Sequence, residues 1–264
     1  MTRRLDWADY RTTEYDQIDP MRTIAILPTA AIEQHGPHLP VGTDTMIAEG
    51  MLAELRATCP DDLDIRILPV QAVGKSNEHI HAPGTLTISA QSALAVWQEI
   101  GLSVARAGVR KLVIVNSHGG NLDLISILSR ELRVRAGMLA VKCQWGVFGT
   151  PDGMYSEAEK TYGIHGGDVE TSLMLQFQPH LVDMDAAPNA RSSAETTRVP
   201  PIGPVSYGWI ASDLSPLGTV GDASVATAAK GKATCAHQIS GFIELLRAVR
   251  DTGLDGFAPT QPAV

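Results

Sequence analysis

Short apolar runs alternate along this chain with stretches of helical periodicity, and polar clusters fall at the joints between them. Thr23–Pro28 is a continuous apolar run of strand length and reads as a buried strand. Over Thr45–Ala57, residues Met46, Ile47, Met51, Leu52 and Leu55 recur at helical spacing. Ile65–Val70 reads as a second strand. Ser89 is placed to cap a helix running through Ala107, with Leu94, Val96, Trp97, Ile100, Leu102 and Val104 on its apolar side. Lys111–Val115 is a third buried strand, and Asn121 is placed to cap a helix through Arg135. Met138–Trp145 predicts a strand, Val169–Gln176 a helix, and Val225–Val249 a long closing helix. Such alternation predicts an α/β fold, a mostly parallel sheet with helices on both faces. Only Ala187–Thr219 breaks the rhythm. It is rich in Pro, Gly, Ser and Thr, carries Tyr207 and Trp209, and predicts a long loop. Loops of that length inside a compact domain are uncommon and often functional, so substrate-lining residues are expected there.

The composition narrows the class. The chain has 264 residues, 44% of them hydrophobic, enough for one large core, and no compositional break divides it, so a single domain over 1–264 is expected. A net charge of -8 with no Lys/Arg cluster argues against nucleic-acid or anionic-membrane partners. Met1–Trp7 lacks the apolar segment of a secretory signal, and no apolar run approaches a membrane span. Cys59, Cys143 and Cys235 are odd in number and far apart, with no C-x-x-C. They read as small hydrophobes rather than a disulfide framework, and a cytoplasmic protein is expected.

Three polar clusters carry candidate chemistry. Glu33, His35, His38 and Asp44 follow the first strand, where open α/β folds place their sites. The i, i+2 spacing of Glu33 and His35 would put both side chains on one side of an extended backbone. Asn116-Ser117-His118-Gly119-Gly120-Asn121 follows the third buried strand and opens a helix. It lacks the glycine-lysine pattern of a phosphate cradle, and Ser117 has no G-x-S-x-G elbow. His165-Gly166-Gly167-Asp168-Val169-Glu170 opens another helix. Either acid there could ligate a metal or answer the helix dipole, and His165 is a candidate proton carrier. Glu33, His35, Asp44, His118 and one acid of the third cluster exceed what a tetrahedral zinc with an open position needs. They suit two divalent ions, roughly 3.5–4 Å apart, sharing a carboxylate and a water. The mixed nitrogen and oxygen set fits Zn, Mn or Fe. A fourth stretch, Ser76–Thr85, contains His79 and His81, for which a substrate-side or structural role fits better than ligation.

The blocks at Glu33–Asp44, Pro83–Thr85, Asn116–Asn121 and His165–Ser172, with Gly221-Asp222, resemble the creatininase family of metal-dependent amidohydrolases over about residues 20 to 250. The resemblance implies a three-layer α/β/α fold, two metal ions, hydrolysis of a cyclic or other non-peptide amide, and a homohexamer. It implies Glu33 and His118 as ligands of one ion, His35 of the other, Asp44 as the bridge, Glu170 completing the set, and His165 as the proton shuttle; His79 keeps the substrate-side or structural role read from its own stretch. The reaction so implied is hydrolysis of a small amide, a cyclic amide or formamide first. A lactone or a short peptide is the alternative substrate, and a non-catalytic metal-binding relative the alternative class. Two positions depart from creatininase itself, which carries acidic residues where this chain has Gly120 and Ile164. Loss of an acidic neighbour removes one means of orienting His165 and raising its pKa. Creatinine is therefore expected to be a poor substrate, and efficient creatinine hydrolysis by the purified protein would overturn this expectation.

Overall fold

The computed structural model describes residues 3–258. After a single helical turn α1 (Thr12–Tyr15), the chain runs β1 (Ile24–Thr29), α2 (Thr43–Thr58), β2 (Ile65–Ile67), α3 (Ala90–Arg106), β3 (Lys111–Asn116), α4 (Leu122–Ala136) and β4 (Leu139–Gln144). The four strands form one parallel sheet in the order β2-β1-β3-β4, with Ile24 opposite Lys111 and Thr29 opposite Asn116. Then come α5 (Glu157–Tyr162), α6 (Asp168–Phe177), β5 (Asn189–Ala190), the turn α7 (Ala211–Leu214), β6 (Gly221–Asp222) and α8 (Ala228–Asp251).

Alternation along the strands builds the layers. Ile24, Ile26, Ile65, Ile67, Val113 and Val115 face one side and pack on α2, α6 and α8 through Met51, Leu55, Leu173, Ile239, Phe242 and Leu246. Ala25, Leu27, Leu112 and Ile114 face the other side and meet α3 and α4 through Trp97, Val104, Ile125 and Leu128. Every residue of β1 and β3 is buried, as a parallel sheet covered on both faces requires. The result is the three-layer α/β/α arrangement. Among the described residues no helix is long and apolar enough to cross a membrane. Cys235 is buried, and half-buried Cys59 and Cys143 pack against the same apolar cluster.

Several expected boundaries move. α2 begins at Thr43, which puts Asp44 in its first turn. β2 stops at Ile67: Leu68 N–H still donates to Ile26 O at 2.9 Å, but the next bond to β1 comes from Gln71 N–H to Pro28 O at 2.9 Å, so the regular pairing slips. Ser89 caps α3 as expected, accepting from the Ser92 N–H at 3.1 Å. Asn121 precedes α4 but caps nothing. Its side chain turns inward, where Oδ1 accepts from the Lys75 N–H at 3.0 Å and Nδ2 donates to the Ala30 carbonyl at 3.0 Å. The closing helix starts at Ala228, where Thr227 accepts from the Lys230 N–H. The segment expected as an unstructured loop has a small core of its own: Ala194, Leu214 and Val220 are buried against Tyr162, Ile164, Tyr207 and Trp209.

α8 crosses α6 closely enough that a Cβ on Gly231 would overlap the Ser172 carbonyl oxygen. Gly to Ala inside a helix ordinarily gains about 1 kcal/mol. Here the clash is with backbone, and Gly231→Ala is expected to reverse the sign, costing about 1–3 kcal/mol in urea unfolding. A stabilised variant would show that the two helices do not lie this close.

Candidate metal centre

The strand order makes the site. From β1 the chain crosses to β2 on one side, and from β2 it returns to β3 on the other side of β1. Connections therefore diverge at the carboxyl ends of β1 and β3, the switch point where open parallel sheets leave a crevice. Glu33 and His35 follow β1, Asp44 stands in the first turn of α2, and His118 follows β3 by two residues. His165 precedes α6 and Glu170 lies in its first turn. All the His/Asp/Glu groups able to hold a metal among the described residues draw on these six side chains with Glu78 and His79.

Asp44 is the centre of the cluster. Its Oδ1 lies 3.3 Å from His35 Nε2 and its Oδ2 lies 3.2 Å from His118 Nδ1. His118 Nδ1 is also 3.2 Å from Glu33 Oε2, and His35 Nε2 is 3.8 Å from Glu170 Oε2. So Glu33 and Asp44 both stand against His118, and Asp44 and Glu170 both stand against His35; the close-set groups are Glu33 with His35 and Asp44, His35 with His165 and Glu170, Glu33 with Glu78 and His118, and Glu33 with His79 and His165. The far nitrogen of each histidine is tied to a carbonyl, which can only accept. His35 Nδ1–H donates to Glu33 O at 3.0 Å, and His118 Nε2–H donates to Lys75 O at 2.9 Å. Each ring thus turns its other nitrogen inward, the one that could ligate a metal once it gives up its proton. His35 Nε2 and Asp44 Oδ2 are buried with no hydrogen-bond partner. Unpartnered inward donor atoms of this kind fit a divalent cation, and imidazole with carboxylate suits Zn, Mn or Fe.

His165 has a different setting. Its Nε2–H donates to Gln34 O at 2.7 Å and its Nδ1 lies 3.5 Å from Glu33 Oε1. Its ring lies against those of His35 and His79, with centroids 4.2 and 4.3 Å away. Gln34 organises this wall: its Oε1 accepts from Gly36 N–H at 2.9 Å, while its Nε2 donates to Gly218 O at 2.6 Å and His79 Nδ1 at 2.8 Å. His79 is buried, with Nε2 3.6 Å from Glu33 Oε1. His38 turns away onto α6, its Nε2 2.9 Å from Thr171 Oγ1. The two acids of the third cluster separate. Asp168 pairs with Lys230 Nζ at 2.6 Å and accepts from Ser172 Oγ at 3.0 Å, whereas Glu170 faces His35.

Glycines set the close approaches. Gly36 and Gly166, at φ of 74° and 66°, both lie against Thr219, where a Cβ would stand 2.6 and 2.7 Å from its Cγ2. The Gly166-Gly167 pair makes room for Thr219 and for the buried Glu159 carboxylate. Gln34, Ser76, Glu78 and Thr219 were not singled out from sequence. Only the position of Gln34 inside the first block and of Glu78 beside His79 could have marked them.

The electrostatics report an excess of negative charge. Burial alone would lower His35, but Asp44, Glu170 and Glu33 raise it to about 10. His118 is raised against burial by Glu33 and Asp44. Glu33 and Asp44 are held low, against their own burial, chiefly by those imidazoles. Desolvation raises Glu170 despite His35. His165 goes the other way, down to about 3, through burial and the neighbouring His35. Beside the cluster, Lys75, Asn77 and Glu78 form one wall of a cavity of about 450 Å³, and Trp209, Ile210 and Asp213 of the long loop form the other. A larger cavity, about 550 Å³ beside Asp6, Arg56 and Val70, shares no residue with the cluster.

A family model described as creatininase, creatinine amidohydrolase, matches residues 8–246. The chain is 29% identical to the mycofactocin precursor peptide peptidase of Mycolicibacterium smegmatis, over 89% of each chain. It is 30% identical to the creatinine amidohydrolase of Pseudomonas putida, over 69% of this chain and 73% of that one. A solved structure described as "Creatininase Mn" superposes with a TM-score of 0.73 at 21% identity, covering 95% of this chain and all (100%) of that one.

In the metal-free protein, protons on His35 and His118 offset the carboxylates. The surrounding carboxylates raise both imidazoles well above the ordinary histidine value, His35 to about 10, so a divalent ion binding there must displace protons. Titrating metal into the apo protein at pH 7, by calorimetry in buffers of different ionisation heat, is expected to show net proton release. Binding without release would mean that the imidazoles are already neutral.

Proposed function

The chain belongs to the creatininase family, and from that premise we propose a dinuclear metal-dependent amidohydrolase that cleaves the C–N bond of a small amide, a cyclic amide or formamide. The observation that carries the reading is Asp44, whose two oxygens face two different histidines across otherwise unpartnered inward atoms. Glu33, Asp44 and His118 would hold one ion and His35, Asp44 and Glu170 the other, with Asp44 shared. Zinc, manganese and iron all accept these donors. When bound, the ions supply Lewis acidity that acidifies water and polarises the amide carbonyl.

The chain's own residues do the rest. His165 commits Nε2–H to Gln34 O, so Nδ1 is the atom left to take a proton and pass it to the departing nitrogen. Its depressed pKa keeps it neutral at rest and makes its conjugate acid a willing donor. His79, stacked on His165 and fixed by Gln34, lines the substrate side of the same wall. The cavity between Glu78 and Trp209 admits the remainder of the substrate. A short peptide is the second reading, favoured by the relative named as a peptide peptidase and by an opening of about 450 Å³. A cytoplasmic location belongs to the same proposal and is supported by three free cysteines.

Elemental analysis of loaded protein is expected to approach two ions per chain, and Asp44→Ala to lose both. A saturating stoichiometry of one would overturn the dinuclear assignment. His165→Ala is expected to keep both ions yet lose about 10²–10⁴-fold in turnover, mostly in kcat. If that variant instead loses an ion, and excess metal restores its rate, His165 is a ligand and the proton assignment is wrong.

A further inference from the structure

We propose that Glu78 is the positioning carboxylate of His118, and that position 120 is glycine to admit it. The inference rests on the two-ion reading and goes beyond it to a residue outside the ligand set. Glu78 sits on a short turn, Asn77–His79, after β2. That turn and the two residues before it grip both acidic and basic members of the cluster. Ser76 Oγ donates to Glu33 Oε2, and His79 Nε2 faces Glu33 Oε1 at 3.6 Å. Lys75 O accepts from His118 Nε2–H at 2.9 Å, and Glu78 Oε1 stands 3.4 Å from the same nitrogen. Glu78 is itself held by Lys75, with Nζ 2.9 Å from Oε2, and its side chain is only 9% exposed. A solvated surface i, i+3 pair would not be this covered.

Gly120 supplies the independent observation. It is not among the glycines with positive φ, so backbone conformation does not demand it. Space does. A Cβ there would overlap Glu78 Oε1 and stand 2.5 Å from His118 Nε2 and 2.6 Å from Lys75 O. The position is therefore bare because a carboxylate from another segment already stands there. A carboxylate behind a ligating imidazole fixes the ring and its tautomer and strengthens the opposite nitrogen as a donor.

The test uses full-length protein stripped of metal and titrated with zinc against a chelating dye, with kcat and KM measured in parallel. Glu78→Gln is expected to weaken one of the two ions by about 10–100-fold and leave the other unchanged. Lys75→Met, which keeps the backbone carbonyl but frees Glu78, is expected to weaken the same ion by less. The thermal midpoint of the metal-free protein should move little in either variant. Equal affinity of wild type and Glu78→Gln for both ions would overturn the proposal, as would a loss shared evenly between them. Failure of the wild type to bind any zinc would instead sink the two-ion reading itself.

Discussion

Burial of more carboxylate than the fold can neutralise is the condition on which the rest of the site depends. Glu33 and Asp44 are almost wholly shielded from water, and Glu170 and Glu78 stand beside them. In such a setting like charges repel strongly and each lone carboxylate carries a desolvation cost. Among the described residues no lysine or arginine pairs with Asp44 or Glu33. It answers them with imidazoles, whose charge can be given up. His35 and His118 hold protons in the metal-free state for the same reason that divalent ions would replace them there. A permanent cation in either place would have closed the site.

That condition is met only because remote segments are held together by buried polar ties. The loop bearing His165 is pinned to the segment after α7 by the Val220 N–H, which donates to His165 O at 2.8 Å. Beneath it the buried Glu159 accepts from the Val169 and Asp222 N–H groups, each at 3.2 Å, among Gly163, Gly167 and Gly221. A carboxylate there complements the N-terminus of α6, the helix that carries Glu170. Burial nonetheless raises its pKa, so those backbone donors are part of what makes its position tolerable. On the other side Asn121 ties the β1 loop to the Lys75 turn. The sheet sets the coarse position of the cluster, and these buried polar ties set the fine one.

Much of this was legible in the chain. Apolar runs of strand length, separated by helical periodicity, predicted β1, β3 and β4 and the helices between them, and β1 and β3, covered on both faces, have no need of polar alternation. The edge strand β2 was shorter than its apolar run because its pairing with β1 slips after Leu68, the next bond coming from Gln71, a backbone effect that hydropathy does not register. Asn121 had the right residue type and place for a cap, but a buried amide can satisfy backbone groups of other segments equally well. The long loop read as structureless because the apolar partners of its few hydrophobic residues, Tyr162 and Ile164, come from outside it.

By itself the sequence determined residue types and their delivery. Glu33, His35 and His118 follow buried strands, and Asp44, Asp168 and Glu170 open helices, so a polyvalent acidic and imidazole site at the strand ends was implied by local chemistry. Only the tertiary structure decided which acid of the third cluster turns inward. Asp168 is drawn off by Lys230, sixty-two residues away, and Glu170 is left facing His35. It also decided which nitrogen each histidine offers, because the carbonyls of Glu33, Lys75 and Gln34 that fix the tautomers are set by loop paths rather than by composition. The occupant of the space over Gly120 was equally beyond the sequence. A glycine leaves room without saying what fills it, and only the packed chain shows that at position 120 it is the carboxylate of Glu78.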